Sequence, residues 1–355
     1  MIYITVLGLI CTLAFLLIRK AESAKKNRVI FIMMSSLLLG ILMGMREITV
    51  GVDTATYYQY YNIINTYDWN EILSSLKTYS MEFGFALFMK FIGSLGGDYY
   101  AFQLIISVIM CLLIGKFILD NDKKVLLSIL LYYTSGLYFY GYNISRQMLA
   151  VAIVCNAWSE LKKNNFIKSL LYVAIGCCIH FSVAIFFVAY IVYFFRKYTA
   201  IQRIFTILLI GVTIIFSYWQ TSILGIIGNY TDMYSNYLST TEGTTVGYIK
   251  FIWGIIIILS LYVIYRSDRF YDYELRCLAI FSLINSLFWF AGTEIRYLER
   301  VGLVFAPFVV IFLPKFSDTI ENKLIKYICL GLGVSVYIAL FLNSITGQYE
   351  YVSFL

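Results

Sequence analysis

Four arginines, Arg46, Arg146, Arg296 and Arg300, stand at the ends of long apolar runs and not within charged loops. An arginine near membrane depth is costly unless it serves a ligand or a carboxylate. Its fork matches the oxygens of a phosphate in bidentate fashion. Arg296 and Arg300 lie four residues apart, so a helix there would set them on one face. Glu47, Glu294 and Glu299 are near enough in sequence to make helix-tying ion pairs, and that is the competing reading for any single arginine. The set argues for a ligand, because all four fall on the side where positive charge is otherwise avoided. A diphosphate held at the membrane surface would need two or three such forks.

His180 is the only histidine in the chain. An imidazole is competent as a base near neutral pH. The rival base is Asp53, in Gly51-Val52-Asp53-Thr54, where Gly51 suits a sharp turn that aims the acid back toward Arg46. Either group beside arginines would suit transfer of a sugar from a diphosphate with inversion. The base takes a proton from the attacking hydroxyl, and the arginines stabilise the leaving diphosphate. There is no P-loop, HExxH or GxSxG motif, and no carboxylate cluster that would hold a divalent metal. No cofactor is implied.

These residues must be positioned by membrane helices. Of 355 residues 61% are apolar and 13% charged, against roughly a quarter charged in a soluble domain. The long apolar runs predict an all-α, polytopic helical bundle, and they lack the alternation of a spanning barrel. The clear candidates are 2–18, 29–45, 100–119, 125–140, 146–161, 204–221, 249–265, 275–293, 301–314 and 325–343. The run 83–95 is short, contains Lys90 and is kept off the spanning list as an interfacial or re-entrant helix. The run 167–195 is too long for one span. It is split into two short helices at Ile179-His180-Phe181, with Ser182 available as a cap.

With the loop Arg19 to Arg28 placed inside, 20 of the 27 lysines and arginines fall in inside loops. This positive-inside bias predicts about twelve spans with both ends outside. The scattered basic residues point to topology, not to nucleic acid. The seven cysteines all lie in apolar runs without metal spacing and read as core residues. A single membrane domain, 1–355, is expected, with external loops near 46–99 and 222–248. The tyrosine- and asparagine-rich Asn229 to Tyr237 would suit a sugar-binding surface or an interface belt.

The motifs, in order, resemble a known family. They are Met-Arg-x4-Gly-x-Asp-Thr-x2-Tyr (Met45 to Tyr57), Glu82-Phe83-Gly84-Phe85, Asn143-Ile144-Ser145-Arg146-Gln147-Met148-Leu149-Ala150, Ile179-His180-Phe181-Ser182 and Arg296-Tyr297-Leu298-Glu299-Arg300. The chain resembles the EpsG family of Wzy-like exopolysaccharide or O-antigen repeat-unit polymerases. Phe83 departs from the proline expected in a Glu-Pro-Gly motif. The resemblance implies a GT-C-like, metal-independent glycosyltransferase in the bacterial cytoplasmic membrane, with its site on the external face. Donor and acceptor would both be undecaprenyl-diphosphate-linked oligosaccharides among membrane lipid, and a chain-length regulator would be a further partner. Carried over by position, Arg46, Arg146, Arg296 and Arg300 would bind diphosphate. His180 or Asp53 would be the base, with Gln147 and Tyr57 in support. A flippase of lipid-linked oligosaccharide, a glycan ligase and a membrane O-acyltransferase are the alternatives.

Overall fold

The computed structural model describes residues 1–18, 25–72, 81–228, 247–266, 273–291, 296–345 and 351–354. The helices are α1 (Ile2–Leu17), α2 (Lys25–Gly44), α3 (Thr54–Thr66), α4 (Phe83–Ser94), α5 (Tyr99–Asn121) and α6 (Val125–Thr134). There follow α7 (Leu137–Asn143), α8 (Ser145–Lys162), α9 (Phe166–Ile179), α10 (Phe187–Phe194) and α11 (Thr199–Gly228). The last are α12 (Gly247–Tyr265), α13 (Tyr273–Ala291), α14 (Arg296–Gly302), α15 (Ala306–Ser317) and α16 (Lys323–Ile345). The protein is an all-α membrane bundle. Among the described residues, Lys25–Gly44, Tyr99–Asn121 and Glu299–Ser317 are each long and apolar enough to cross a bilayer. Two compact units form, residues 1–184 with 320–355, and residues 185–319.

In the first unit, glycines set how closely helices approach. A Cβ on Gly40 would lie 2.7 Å from the Val108 Cα, and one on Gly44 would lie 2.6 Å from the Leu104 Cα. This fixes α2 antiparallel to α5. Helices α8 and α9 are also antiparallel: Ser169 donates to the Ala157 carbonyl at 2.9 Å, and Gly176 lies over Val154 and Ala150. Extended by one more turn, that register sets His180 opposite Arg146.

Ionic groups gather at both ends of this unit. At one end Lys116 pairs with Asp120 at 2.8 Å and Lys163 with Glu160 at 2.9 Å. The other end holds Arg46, Arg146 and His180. Both chain termini come to that second end. The Tyr3 ring sits 6.4 Å from Tyr142 and 5.7 Å from Tyr351. Residues 351–354 lie antiparallel to the Arg46 segment. The Glu47 amide donates to the Val352 carbonyl at 2.8 Å, and the Phe354 amide to the Met45 carbonyl at 3.2 Å.

In the second unit, α12 packs along α13, with Trp253 and Trp289 stacked at 5.2 Å. Phe281, Phe305 and Phe308 join α13 to α15.

Several sequence expectations are refined. The run 125–140 is not one helix. It breaks at Ser135-Gly136, where Gly136 takes φ 87, a left-handed angle that ends α6 and starts α7. The run 301–314 is interrupted by a 3-10 turn, Leu303–Phe305. The split of 167–195 is present: α9 ends at Ile179, His180 is extended, and a 3-10 turn, Phe181–Phe186, leads to α10. Ser182 is not the expected cap, because the backbone continues as a 3-10 turn and the Ser182 hydroxyl is buried with no hydrogen-bond partner among the described residues. The segment 46–99 contains α3 and α4. Most of 222–248, including Asn229 to Tyr237, lies outside the described residues, as do Thr293, Glu294 and Ile295.

Candidate functional site

The site is built where three helix ends meet. Arg146 is the second residue of α8, His180 follows the last residue of α9, and Glu82 precedes the first residue of α4. Glu82 joins them. Its Oε1 lies 2.6 Å from His180 Nδ1 and accepts from the Phe181 amide at 3.0 Å. Its Oε2 lies 2.9 Å from Arg146 Nη1. That second contact is an ion pair and not a directed hydrogen bond, since Oε2 has no hydrogen-bond partner among the described residues. All three side chains are roughly a fifth exposed: 23% for Glu82, 20% for Arg146 and 22% for His180. Burial alone would push the Glu82 carboxyl up. The His180 hydrogen bond, the Arg146 charge and the Phe181 amide together outweigh burial and hold it below the usual carboxylate range. Glu82 is therefore an anion at neutral pH, placed between an arginine and an imidazole.

Gly84 makes this meeting possible. A Cβ there would lie 2.7 Å from the Cys178 carbonyl oxygen and 2.9 Å from its carbon. Only a residue without a side chain lets α4 rest on the end of α9, and that contact carries Glu82 to His180. Phe83 is the first residue of α4, a position that suits proline because its amide needs no intrahelical partner. The exchange of proline for phenylalanine therefore leaves the turn intact.

The motif around Arg46 interlocks with the one around Arg146. Arg46 is 1% exposed. Its Nη1 donates to the Met43 carbonyl, and its Nη2 reaches the Tyr142 carbonyl at 3.2 Å and the Ser145 hydroxyl at 3.4 Å. Its guanidinium carbon lies 4.9 Å from the centre of the Tyr142 ring. Among the described residues no carboxylate pairs with it, and its Nε has no hydrogen-bond partner. The sequence sets Arg46 at a span mouth; the fold closes it in, against the junction of α7 and α8.

The neighbouring turn docks on the same junction. Gly51, at φ 95, would bring a Cβ to 2.6 Å from the Tyr142 carbonyl oxygen. Thr54 donates to that carbonyl at 3.0 Å, and Asn143 accepts from the Val52 amide at 2.8 Å. Gln103 donates to the Arg46 carbonyl at 2.7 Å. These contacts fix where α8 begins, and so where Arg146 stands.

The other expected residues are placed as follows. Asp53 immediately precedes α3 and is half-buried. Tyr57 is half-buried on α3, its ring 5.9 Å from Phe85 on α4. Gln147 is buried on α8. Arg296 opens α14 and Arg300 is half-buried on the same helix, both in the second unit. The first unit thus brings Arg146 and His180 together through Glu82, with Arg46 behind the start of the Arg146 helix. Glu82, Gly84, Thr54, Asn143 and Ser145 complete the arrangement without having been given roles from the sequence. Glu82 stands in the Glu82-Phe83-Gly84-Phe85 motif, two residues before the glycine that seats the helix.

The bundle and its helix-end ionic cluster define a membrane protein whose polar chemistry lies at one end of its helices. The chain belongs to the EpsG family, whose model matches residues 29–354 and so includes every residue of the site. That membership gives it a part in polysaccharide polymerisation, of the glycosyltransferase kind. No curated protein and no solved structure matches the chain.

Proposed function

We propose that the protein joins lipid-linked glycan units at the external face of the bacterial cytoplasmic membrane. A hydroxyl of one undecaprenyl-diphosphate-linked oligosaccharide attacks the anomeric carbon of a growing glycan on a second carrier. The new glycosidic bond forms, the carbon–oxygen bond to diphosphate breaks, and undecaprenyl diphosphate leaves with inversion at the anomeric centre. His180 takes the proton from the hydroxyl, and Arg146 binds the diphosphate. The transfer is metal-independent in this reading, its cationic stabilisation coming from arginines.

The observation that carries the reading is the meeting of Arg146 and His180 on one carboxylate, Glu82. It sets a base beside an anion-binding group, the pairing that the transfer requires. The same observation favours His180 over Asp53 as base, and Asp53 is assigned to orienting the acceptor. Arg46, enclosed and without a carboxylate partner among the described residues, is assigned a field role: its charge favours an anion near the start of α8. Arg296 and Arg300 are assigned to diphosphate as well, with Gln147 and Tyr57 in support. Lipid surrounds the site, and a chain-length regulator is a proposed partner.

The test is the lipid-linked glycan profile of a deletion strain, resolved by mass and by membrane side. Single repeat units at the external face, with polymer absent, are expected. Units trapped at the inner face would mean a flippase. Polymer of full length lacking an acyl group would mean an acyltransferase. Wild-type polymer in that strain complemented with His180→Ala would remove His180 as base.

A further inference from the structure

We infer that Glu82 is a positioning residue that fixes the tautomer of His180; this rests on the reading of His180 as base. A neutral imidazole has one nitrogen that donates and one that accepts. To take a proton from a hydroxyl, the nitrogen facing that hydroxyl must be bare. His180 Nδ1 lies 2.6 Å from Glu82 Oε1. An ionised carboxylate only accepts, so the proton of a neutral His180 must sit on Nδ1, and Nε2 is left bare. Three contacts keep Glu82 in that role. The Phe181 amide donates to the same oxygen at 3.0 Å, Arg146 holds the other oxygen at 2.9 Å, and Gly84 seats α4 on the Cys178 carbonyl. Because Arg146 touches Oε2 and His180 touches Oε1, a diphosphate that draws Arg146 away leaves the Oε1 contact in place.

The assignment separates Glu82 from the groups that touch substrate. Its loss should lower turnover without weakening lipid binding. Removing its negative charge from beside Arg146 would favour an anion there.

The experiment uses full-length protein in nanodiscs with histidine labelled for nitrogen NMR. His180 is the only histidine, so a single imidazole is observed. At an alkaline pH where the ring is neutral, the wild-type spectrum should report the Nδ1–H tautomer. Glu82→Gln keeps the side-chain volume but removes the negative charge that holds the proton on Nδ1. In that variant the Nε2–H form should grow. Turnover of lipid-linked repeat units should fall by roughly 100-fold or more, while KM stays within about threefold. An Nε2–H tautomer in the wild-type protein overturns the inference even if the variant does not fold. A folded Glu82→Gln protein with wild-type turnover and an unchanged tautomer overturns it as well. Wild-type turnover by His180→Ala would instead remove the base assignment, and the tautomer result would still judge Glu82 by itself.

Discussion

A methyl group added at Gly84 probes whether the seating of α4 on α9 sets the site. The new Cβ would lie 2.7 Å from the Cys178 carbonyl oxygen, whereas ordinary contact begins at 3.4 Å. The difference, 3.4 less 2.7, requires α4 to retreat by about 0.7 Å. The obstacle is backbone at the end of a helix, which cannot rotate aside as a side chain would. Carried through to Glu82, the same retreat would open its 2.6 Å contact with His180 to about 3.3 Å, past the range of a charge-assisted hydrogen bond. Overpacking of this kind costs about 1–3 kcal/mol. Replacing a helical glycine by alanine returns about 1 kcal/mol, so the net loss of stability should be roughly 0–2 kcal/mol. Activity should suffer more than stability. A misplacement near 1 Å at a reacting group costs about 100-fold, so Gly84→Ala should turn over roughly 10- to 100-fold more slowly per folded molecule. The assay is in vitro extension of lipid-linked repeat units, normalised to monodisperse protein by fluorescence size exclusion. Wild-type turnover by folded Gly84→Ala protein would refute the claim that this contact sets the site.

Other substitutions read other parts of the arrangement. Arg146→Ala should abolish polymerisation while the protein still inserts in the membrane; wild-type chain lengths in vivo would remove its assigned role. Gly51→Ala combines a left-handed angle with a Cβ 2.6 Å from the Tyr142 oxygen. It should destabilise by roughly 2–4 kcal/mol, seen as a lower melting temperature and a smaller folded fraction on extraction. Glu82 has a depressed carboxyl pKa in the folded protein, so the stability it contributes is present above the unfolded carboxylate range, near about 4.3, and is lost as pH falls through the folded value. The melting temperatures of wild type and Glu82→Gln should therefore differ at neutral pH and converge as pH is lowered well below about 4; a constant gap would contradict the ionised state of Glu82.

The helical class and the turn at His180 were legible because both rest on local pattern. Apolar runs of spanning length announce helices, and 167–195 is too long for one span. The placement of His180 level with Arg146 followed from topology, since both fell at external span ends. Glu82 was not legible as the residue that joins them. It is far from both along the chain and reaches Arg146 and His180 only through the α8–α9 register and a glycine contact on a third helix. The break at Gly136 was hidden for a related reason: a single glycine in an apolar run signals a left-handed turn only when the packing around it is known. Arg46 shows the limit of positional reasoning. Its place at a span mouth could be read, but whether it faced outward depended on carbonyls near residue 142, almost a hundred positions away.

The antiparallel bridge between residues 351–354 and the Arg46 segment bears on how the protein is made. The two sides of that bridge are separated by about three hundred residues, Arg46 to Ser353. At roughly 5–20 residues per second, synthesis of the intervening chain takes about 15–60 s. For that interval the Met45 carbonyl and the Glu47 amide have no partner from the tail, and they stand beside an enclosed positive charge. Until residues 351–354 are made, the Arg46 segment lacks the pairing that covers it in the fold. The segment made first is thus sealed only once residues 351–354 have followed it, and polymerising activity should require them.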